Sequence, residues 1–382
     1  MNLKGKCSLF LVFVVGILSC SEKQENVQDV FLNISERKKF HIGEGGLTAE
    51  PRFFVSLDSS RSKGVIYNGY AHSLDSIFLS PDSASVKNGD IMESQGPSGV
   101  GNVFSFFTTL DHTVFMNSQQ FFNKNELTGE VSMKFMHEYG IFGDAEYIGV
   151  SVPTPSFANE LYGVDKVSGI GYFIFDDDNQ IRVVGYDPSL DSMFFLPVVL
   201  DSEKYFDLRY KVKSKNVIMG GNDQPQLNIV GYKMVISYPS FSDFLVYDLN
   251  SQTQKTFTAI SNSFPSQREL PQNYSVEIVS GELQWELGRI WGEGVRYGYI
   301  NYLKSEDKYV RLVKGEGGGD VPYFLEVFDN DFQKIKEFNL TEMNLDISPN
   351  YLNTKYGLMF RAKDQPDEDV MYYYYVNLSE EK

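Results

Sequence analysis

The chain has 382 residues, 42% of them hydrophobic and 15% aromatic, and its 51 acidic against 34 basic residues give a net charge of -17. No run of lysine and arginine interleaved with aromatics occurs, so a phosphate backbone would be repelled and nucleic acid is excluded as a partner. The only two cysteines, Cys7 and Cys20, stand near the N-terminus, which leaves the rest of the chain without a thiol for disulfides, zinc, redox exchange or nucleophilic attack.

Lys4 and Lys6 precede the uncharged stretch Cys7 to Ser19, which is too short to span a bilayer and long enough for the apolar part of an export signal. Ile17-Leu18-Ser19-Cys20 resembles the bacterial lipobox. That resemblance implies that residues 1–19 are a signal peptide, that the Cys20 sulfur carries diacylglycerol, and that Cys20 becomes the mature N-terminus. Several acyl chains make attachment to a lipid bilayer effectively permanent. Residues 20–30 are then a polar tether, with Ser21 to Asn26 its most hydrophilic part, and residues 31–382 a single domain. An outer membrane lipoprotein is expected, on the periplasmic or the cell-surface face.

Beyond Phe31 the chain is a succession of short apolar or alternating runs. In order they include "RKKFHIG", "FFVSL", "GVIYNGY", "GYFIFDDDNQIRVVGY", "KMVISY", "DFLVYDL", "RYGYINYL", "KYVRLV", "YFLEVF" and "MYYYYVNL". Period-two alternation rich in tyrosine and phenylalanine predicts strands, and no long segment keeps a helical period. "SQRELPQN" reads as loop because Pro271 breaks it. The fold class is all-β.

Gly69 to Leu79, "GYAHSLDSIFL", aligns without gaps on Gly185 to Phe195, "GYDPSLDSMFF". Both read as a strand, a polar turn and a second strand. Looser copies begin at Phe121, Phe244 and Leu325, and "MYYYYVNL" makes a sixth unit. Tyr70, Phe122, Tyr186, Tyr247, Phe328 and Tyr375 are taken as equivalent, so a unit of roughly 60 residues recurs along the chain, as a β-propeller of four-stranded blades requires. The expectation is a six-bladed β-propeller in which an N-terminal strand, Arg37 to Gly43, completes the last blade and hides its edge. A multi-sheet sandwich or two β domains is the alternative. "SQGPSGVGNVFSFF", Ser94 to Phe107, is similar to a Gly-Pro-x-Gly-x-Gly segment of the six-bladed propeller lipoproteins of Bacteroidetes, a group of domain-of-unknown-function families. The resemblance implies a propeller and an exported lipoprotein, and brings no catalytic residues with it.

Gly96, Pro97, Gly99 and Gly101 in that segment read as close-packing glycines before an innermost strand rather than an anion cradle, since no helix follows. "KGEGGGD" (Lys314 to Asp320) and "WGEGVRYG" (Trp291 to Gly298) lead into or form strands and are not nucleotide fingerprints. "DDDN" at Asp176 and "DQPDED" at Asp364 are acidic hairpin tips that could ligate Ca²⁺ but lack the spacing of a calcium loop. His41, His72, His112 and His137 form no zincin pair, and no Gly-x-Ser-x-Gly elbow occurs. Asn102, Glu282 and Asn301 are the candidates for a channel Ca²⁺. Trp285, Arg289, Trp291, Glu293 and Arg296 concentrate tryptophan with arginine, a combination suited to sugar, peptide or carboxylate recognition, although core packing of both tryptophans is the preferred reading. Ser76, Ser83 and Ser192 follow aspartate and precede an aliphatic or small residue, a pattern that resembles the O-glycosylation sites of exported Bacteroidetes proteins. A shared turn explains Ser76 and Ser192 as well.

The function read from these features is binding of a peptide, glycan or protein partner by a membrane-anchored propeller, without cofactor. A Ca²⁺-dependent hydrolase or lyase acting in the channel is one alternative, and a structural assembly subunit is another.

Overall fold

The computed structural model describes residues 30–380 except 42–53, 143–162 and 272–280, with short gaps at 70, 97–98, 102, 104, 118–119, 177–179, 209, 215–216, 222–223, 319–320, 344, 346 and 367–369. Two N-terminal strands, β1 (Val30–Ile34) and β2 (Lys38–His41), precede the first group, β3 (Phe54–Leu57), β4 (Lys63–Asn68), β5 (Ser73–Leu79) and β6 (Ser83–Lys87). The second group is β7 (Ser105–Thr108), β8 (His112–Met116), β9 (Gln120–Asn125) and β10 (Val131–Phe135). The third is β11 (Gly163–Asp165), β12 (Ile170–Asp176), β13 (Ile181–Asp187) and β14 (Ser192–Phe195).

Helix α1 (Ser202–Asp207) and the hairpin β15 (Tyr210–Ser214) and β16 (Val217–Gly221) follow. The fourth group is β17 (Gln226–Val230), β18 (Lys233–Tyr238), β19 (Phe241–Asp248) and β20 (Thr253–Phe257). Helix α2 (Gly281–Glu293) leads to the fifth, β21 (Arg296–Leu303), β22 (Lys308–Lys314), β23 (Tyr323–Phe328) and β24 (Lys334–Asn339). The chain ends with β25 (Ile347–Thr354), β26 (Gly357–Ala362) and β27 (Val370–Glu380).

Within each group consecutive strands pair antiparallel, in the order of a meander. The middle strands are buried on both faces and read as unbroken apolar runs: β18 is buried from Met234 to Tyr238. The fourth strands are solvated; β20, "TQKTF", is exposed along nearly its whole length. The last group has only three strands of its own, and β2 supplies the fourth by pairing antiparallel with β27, Lys38 opposite Tyr373 and His41 opposite Val370. Strand β1 continues that pairing, Val30 opposite Glu380. A short parallel contact between β2 and β6 joins the last group to the first in one nine-stranded sheet.

Apolar clusters fill the space between consecutive groups. Tyr67 and Phe106 meet between the first and second, Phe107 and Phe173 between the second and third, and Tyr172 and Leu227 between the third and fourth. Val235 packs with Phe328 between the fourth and fifth, and Val310 with Phe360 between the fifth and last. Leu57 and Ile66 pack with Met359 and Tyr373, which brings the last group back against the first. Aromatic side chains fill much of the seam between the first and second groups, where each buries a large area against a pleated surface, while aliphatic side chains make up most of the seams on either side of the last group.

Two expectations are corrected. The gapless repeat does not mark equivalent strands: Gly185 and Tyr186 lie within β13, the third strand of its group, whereas Gly69 follows the end of β4, the second strand of its own. Phe122, Tyr186, Tyr247, Phe328 and Tyr375 do share the third-strand position, and Tyr70 lies outside the described residues. Ser73 to Ser76 lie within β5, whereas Ser189 to Asp191 form the turn before β14, so the shared letters fall on different local structures. Secondly, Trp291, Gly292 and Glu293 close helix α2, so "WGEGVRYG" is strand only from Arg296. Leu283, Leu287, Ile290 and Trp291 have the three- and four-residue spacing of one helical face.

Candidate functional site

The cluster of tryptophan and arginine around α2 divides into two parts facing different ways. Trp291 is 7% exposed and lies beneath the Arg268 guanidinium, 4.2 Å from the ring centroid, while Arg268 Nε donates to the Val295 carbonyl at 2.8 Å. Trp285 is 84% exposed. Arg289 spends its donors on its own helix, binding Glu286 through Nε at 3.0 Å and Nη2 at 2.7 Å and Glu293 through Nη1. Arg296 begins β21, beyond the helix. The five residues therefore do not converge on one ligand.

A cleft of about 770 Å³ lies along the seam between the first and second groups. At one end it is bounded by the turns after β3, β7, β9 and β11, with Asp58, Leu110, Glu126 and Lys166. At the other it is bounded by the segment after β6, with Gly89, Asp90, Ile91, Met92 and Glu93. Its wall includes Ser56 and Thr108, whose hydroxyls are 2.9 Å apart, and Lys166 Nζ donates to the Thr108 carbonyl at 3.2 Å. Four carboxylates, Asp58, Asp90, Glu93 and Glu126, outnumber Lys124 and Lys166, and Lys124 is already engaged with Glu126 at 3.0 Å. The lining thus combines negative charge, hydroxyl groups and the apolar side chains Val65, Leu74, Val100 and Val131. Its size is that of a small-molecule site.

Other polar groups hold the structure together. Asn228, Asn301 and Asn353 sit on the first strands of the fourth, fifth and last groups. Asn228 Nδ2 donates to the Ile300 carbonyl at 3.0 Å, and Asn301 Nδ2 to the Tyr351 hydroxyl at 2.6 Å. Asn301 is therefore a structural link, and Glu282 lies exposed on α2. Arg311 and Glu326 are fully buried cross-strand partners on β22 and β23, with Arg311 Nε to Glu326 at 2.7 Å and Arg311 Nη1 to the Ser242 carbonyl at 2.8 Å. Lys334 Nζ reaches the second Glu326 oxygen at 2.9 Å.

The three candidate serines occupy unlike positions. Ser76 is half-buried within β5, paired with β4 and β6; Ser192 begins β14; Ser83 is exposed at the start of β6. The aspartates before them do structural work. Asp75 is buried and accepts from Ser73 Oγ at 2.7 Å and the Gly89 N–H at 2.9 Å. Asp82 pairs with Lys38 at 3.1 Å. Asp191, in the left-handed region at φ 47°, accepts from the hydroxyls of Tyr186 at 2.9 Å and Tyr139 at 3.0 Å and from Lys134 at 2.7 Å. Asp82 ties the first group to the last and Asp191 the third to the second, whereas Asp75 bonds within its own group and the segment after it, so the two repeat aspartates do not share a self-capping turn.

Among the glycines before β7, a Cβ at Gly99 would lie 2.6 Å from the Gln95 backbone, and Gly101 has φ 61° with the Phe122 ring beside it. Cys20, Pro97, Asn102 and most of "DDDN" lie outside the described residues, as do the last three residues of "DQPDED". Among the described residues no group of three or more histidine, cysteine, aspartate or glutamate side chains could hold a metal ion, and no helix is long and apolar enough to cross a membrane.

No family model matches the chain, and no curated protein does. Solved structures are similar in fold. A member of the DUF4221 family from Bacteroides vulgatus superposes with a TM-score of 0.62 at 12% identity, covering 93% of this chain and 100% of that one. A Bacteroides fragilis protein whose name marks it as a predicted exported protein superposes with a TM-score of 0.51 at 9% identity, covering 91% and 96%.

Proposed function

We propose that this chain is an exported lipoprotein, anchored to the outer membrane through Cys20, whose body is a six-bladed β-propeller that binds a small polar ligand in the cleft between its first two blades. The propeller reading is supported by six strand groups packed in a closed sequence, with the chain's two ends paired in the last of them. The anchor reading rests on the lipobox and on structural likeness to a Bacteroides protein named for export. The binding reading is carried by one observation, the acidic, hydroxyl-lined cleft with its excess of carboxylates. That lining suits a ligand bringing positive charge together with hydroxyl or amide groups, such as an amino sugar or a basic peptide. Of the three candidate serines, exposed Ser83 is the one where a glycan would fit without disturbing a strand.

Two measurements test this. Cys20→Ala should abolish lipid labelling and release the protein from membranes; retention after a high-salt wash would refute the anchor. Calorimetry with a chitosan oligomer, a lysine-rich peptide, a neutral oligosaccharide and an acidic oligosaccharide tests the cleft. Binding of the cationic ligands should weaken with salt and fall in the Asp90→Asn/Glu93→Gln variant. Equal affinity for the acidic oligosaccharide, or no effect of the variant, would refute the reading.

A further inference from the structure

Hairpin tips are the most solvated part of a β-sheet, and asparagine, aspartate, glycine and serine ordinarily occupy them. The turn after β19 has Asn250 and Ser251, the turn after β23 has Asn330 and Asp331, and the turn after β21 runs Lys304-Ser305-Glu306-Asp307. The second and third groups depart from this. Leu110 after β7 is 93% exposed, Leu127 after β9 79%, Val167 after β11 82% and Leu190 after β13 74%. Hydrogen bonds tie these four turns to one neighbourhood. The Glu126 N–H donates to the Asp111 carbonyl at 2.8 Å, Lys166 Nζ to the Thr108 carbonyl at 3.2 Å, and Asn123 Nδ2 to the Pro188 carbonyl at 2.6 Å. Clustered exposed apolar side chains mark a contact surface.

The start of the described chain lies at this same end of the molecule. Val30 stands opposite Glu380, near the end of β27. Asn377 on that strand donates to the Tyr356 carbonyl in the turn after β25 at 2.8 Å, and the Lys355 N–H donates to the Arg61 carbonyl in the turn after β3 at 2.9 Å. Ser56 and Thr108, 2.9 Å apart, link the ends of β3 and β7, and Leu110 follows directly. The segment Ser21 to Asp29 spans at most about 30 Å even fully extended. A lipid on Cys20 therefore keeps this end close to the bilayer.

We propose that Leu110, Leu127, Val167 and Leu190 form a membrane-contact face that rests in the bilayer holding the Cys20 anchor. The inference rests on the lipoprotein reading. Asp111 and Glu126 beside the tips disfavour an anionic surface, so the apolar side chains supply the attraction and the preferred surface is uncharged. Because the four aliphatic tips belong to two neighbouring groups, the body leans toward them. The Gly89 to Glu93 end of the cleft, opposite the tips, stays open to water.

The test uses the lipidated full chain in phosphatidylcholine vesicles. With Cys20 acylated and Cys7 in the removed segment, a nitroxide on Leu127→Cys, Val167→Cys or Leu190→Cys is the only label. Glu316→Cys, in the exposed turn after β22 at the other end, is the control. Leu110 is left intact because it also lines the cleft. The tip labels should collide more with oxygen than with a water-soluble nickel chelate, and the control should do the reverse. Anionic lipid should reduce the difference. Tip labels as water-exposed as the control, on protein that co-sediments with the vesicles, would overturn the inference and leave the anchor standing. Protein that fails to co-sediment would overturn both. Labels shielded from both reagents and close to one another would put a second copy on the face, and would also overturn the inference.

Discussion

Replacing Asp191 tests whether neighbouring strand groups are locked together by polar side chains as well as by apolar seams. In Asp191→Ala the buried Tyr186 hydroxyl loses its acceptor, which costs about 1–3 kcal/mol, and the less buried Tyr139 hydroxyl about 1 kcal/mol. The Lys134 contact, between partly exposed side chains, adds no more than about 1 kcal/mol, and an alanine at φ 47° adds about 1 kcal/mol. The sum is roughly 4 kcal/mol. Asp191→Asn keeps an oxygen acceptor and tolerates the left-handed backbone, so about 1–2 kcal/mol is expected.

Acid should act on the same contacts. Burial raises the Asp191 pKa, but hydrogen bonds from Lys134, Tyr186 and Tyr139 outweigh it and hold the carboxyl below its ordinary value. A depressed folded pKa gives stabilisation that is complete above the unfolded carboxylate value near ~3.9 and is lost as pH falls through the folded value. The wild type should therefore lose more stability than Asp191→Asn below about pH 4. Urea unfolding followed by near-ultraviolet circular dichroism at two pH values reads both effects. If Asp191→Ala and Asp191→Asn cost the same, or the alanine variant costs under about 1 kcal/mol, the hydroxyl-acceptor account is wrong.

Further outcomes are expected elsewhere. Glu326→Gln leaves Arg311 charged and buried without its counter-ion, and should lower stability by about 3–5 kcal/mol; a loss under about 1 kcal/mol in denaturant titration would refute the pairing. Trp291→Ala should cost about 3–5 kcal/mol and Trp285→Ala under about 0.5 kcal/mol, a contrast that thermal melts resolve; similar values would contradict the orientation of α2. Deleting residues 20–43 strips β27 of its N-terminal partners β1 and β2 and should abolish cooperative unfolding, whereas deleting Ser21 to Asn26 should be nearly neutral; equal melting curves would rule out closure by the N-terminal strands.

Strands were legible wherever burial imposes a pattern, as in "KMVISY" and "DFLVYDL", where both faces are covered and the apolar run is unbroken. The hairpins at Phe121, Phe244 and Leu325 were legible for the same reason. The frame of the repeat was not, because Ser-Leu-Asp-Ser lies within strand β5 in one copy and mostly in the turn before β14 in the other, so shared residues did not imply a shared position in the group. Helix α2 was hidden by Gly281, Gly288 and Gly292, which weaken helical propensity, although one apolar face runs from Leu283 to Trp291. The cleft leaves no local signature. Ser56, Asp90, Thr108, Glu126 and Lys166 are far apart in sequence and belong to three groups, and only the packing of those groups against one another assembles them. The same holds for Arg311 and Glu326, two charges in apolar strands whose register alone makes them partners.

The pairing of the chain's first and last strands also governs when the molecule can form. Ser35 and Tyr375 bond across a separation of 340 residues, and the seams on both sides of the last group need β25, β26 and β27. A nascent chain lacking its final strands therefore misses two of its cores and cannot become rigid early, since contacts this distant in sequence are the slowest to form. Such a chain stays threadable. It can become a solid body only once its last residues are in place to pair with its first.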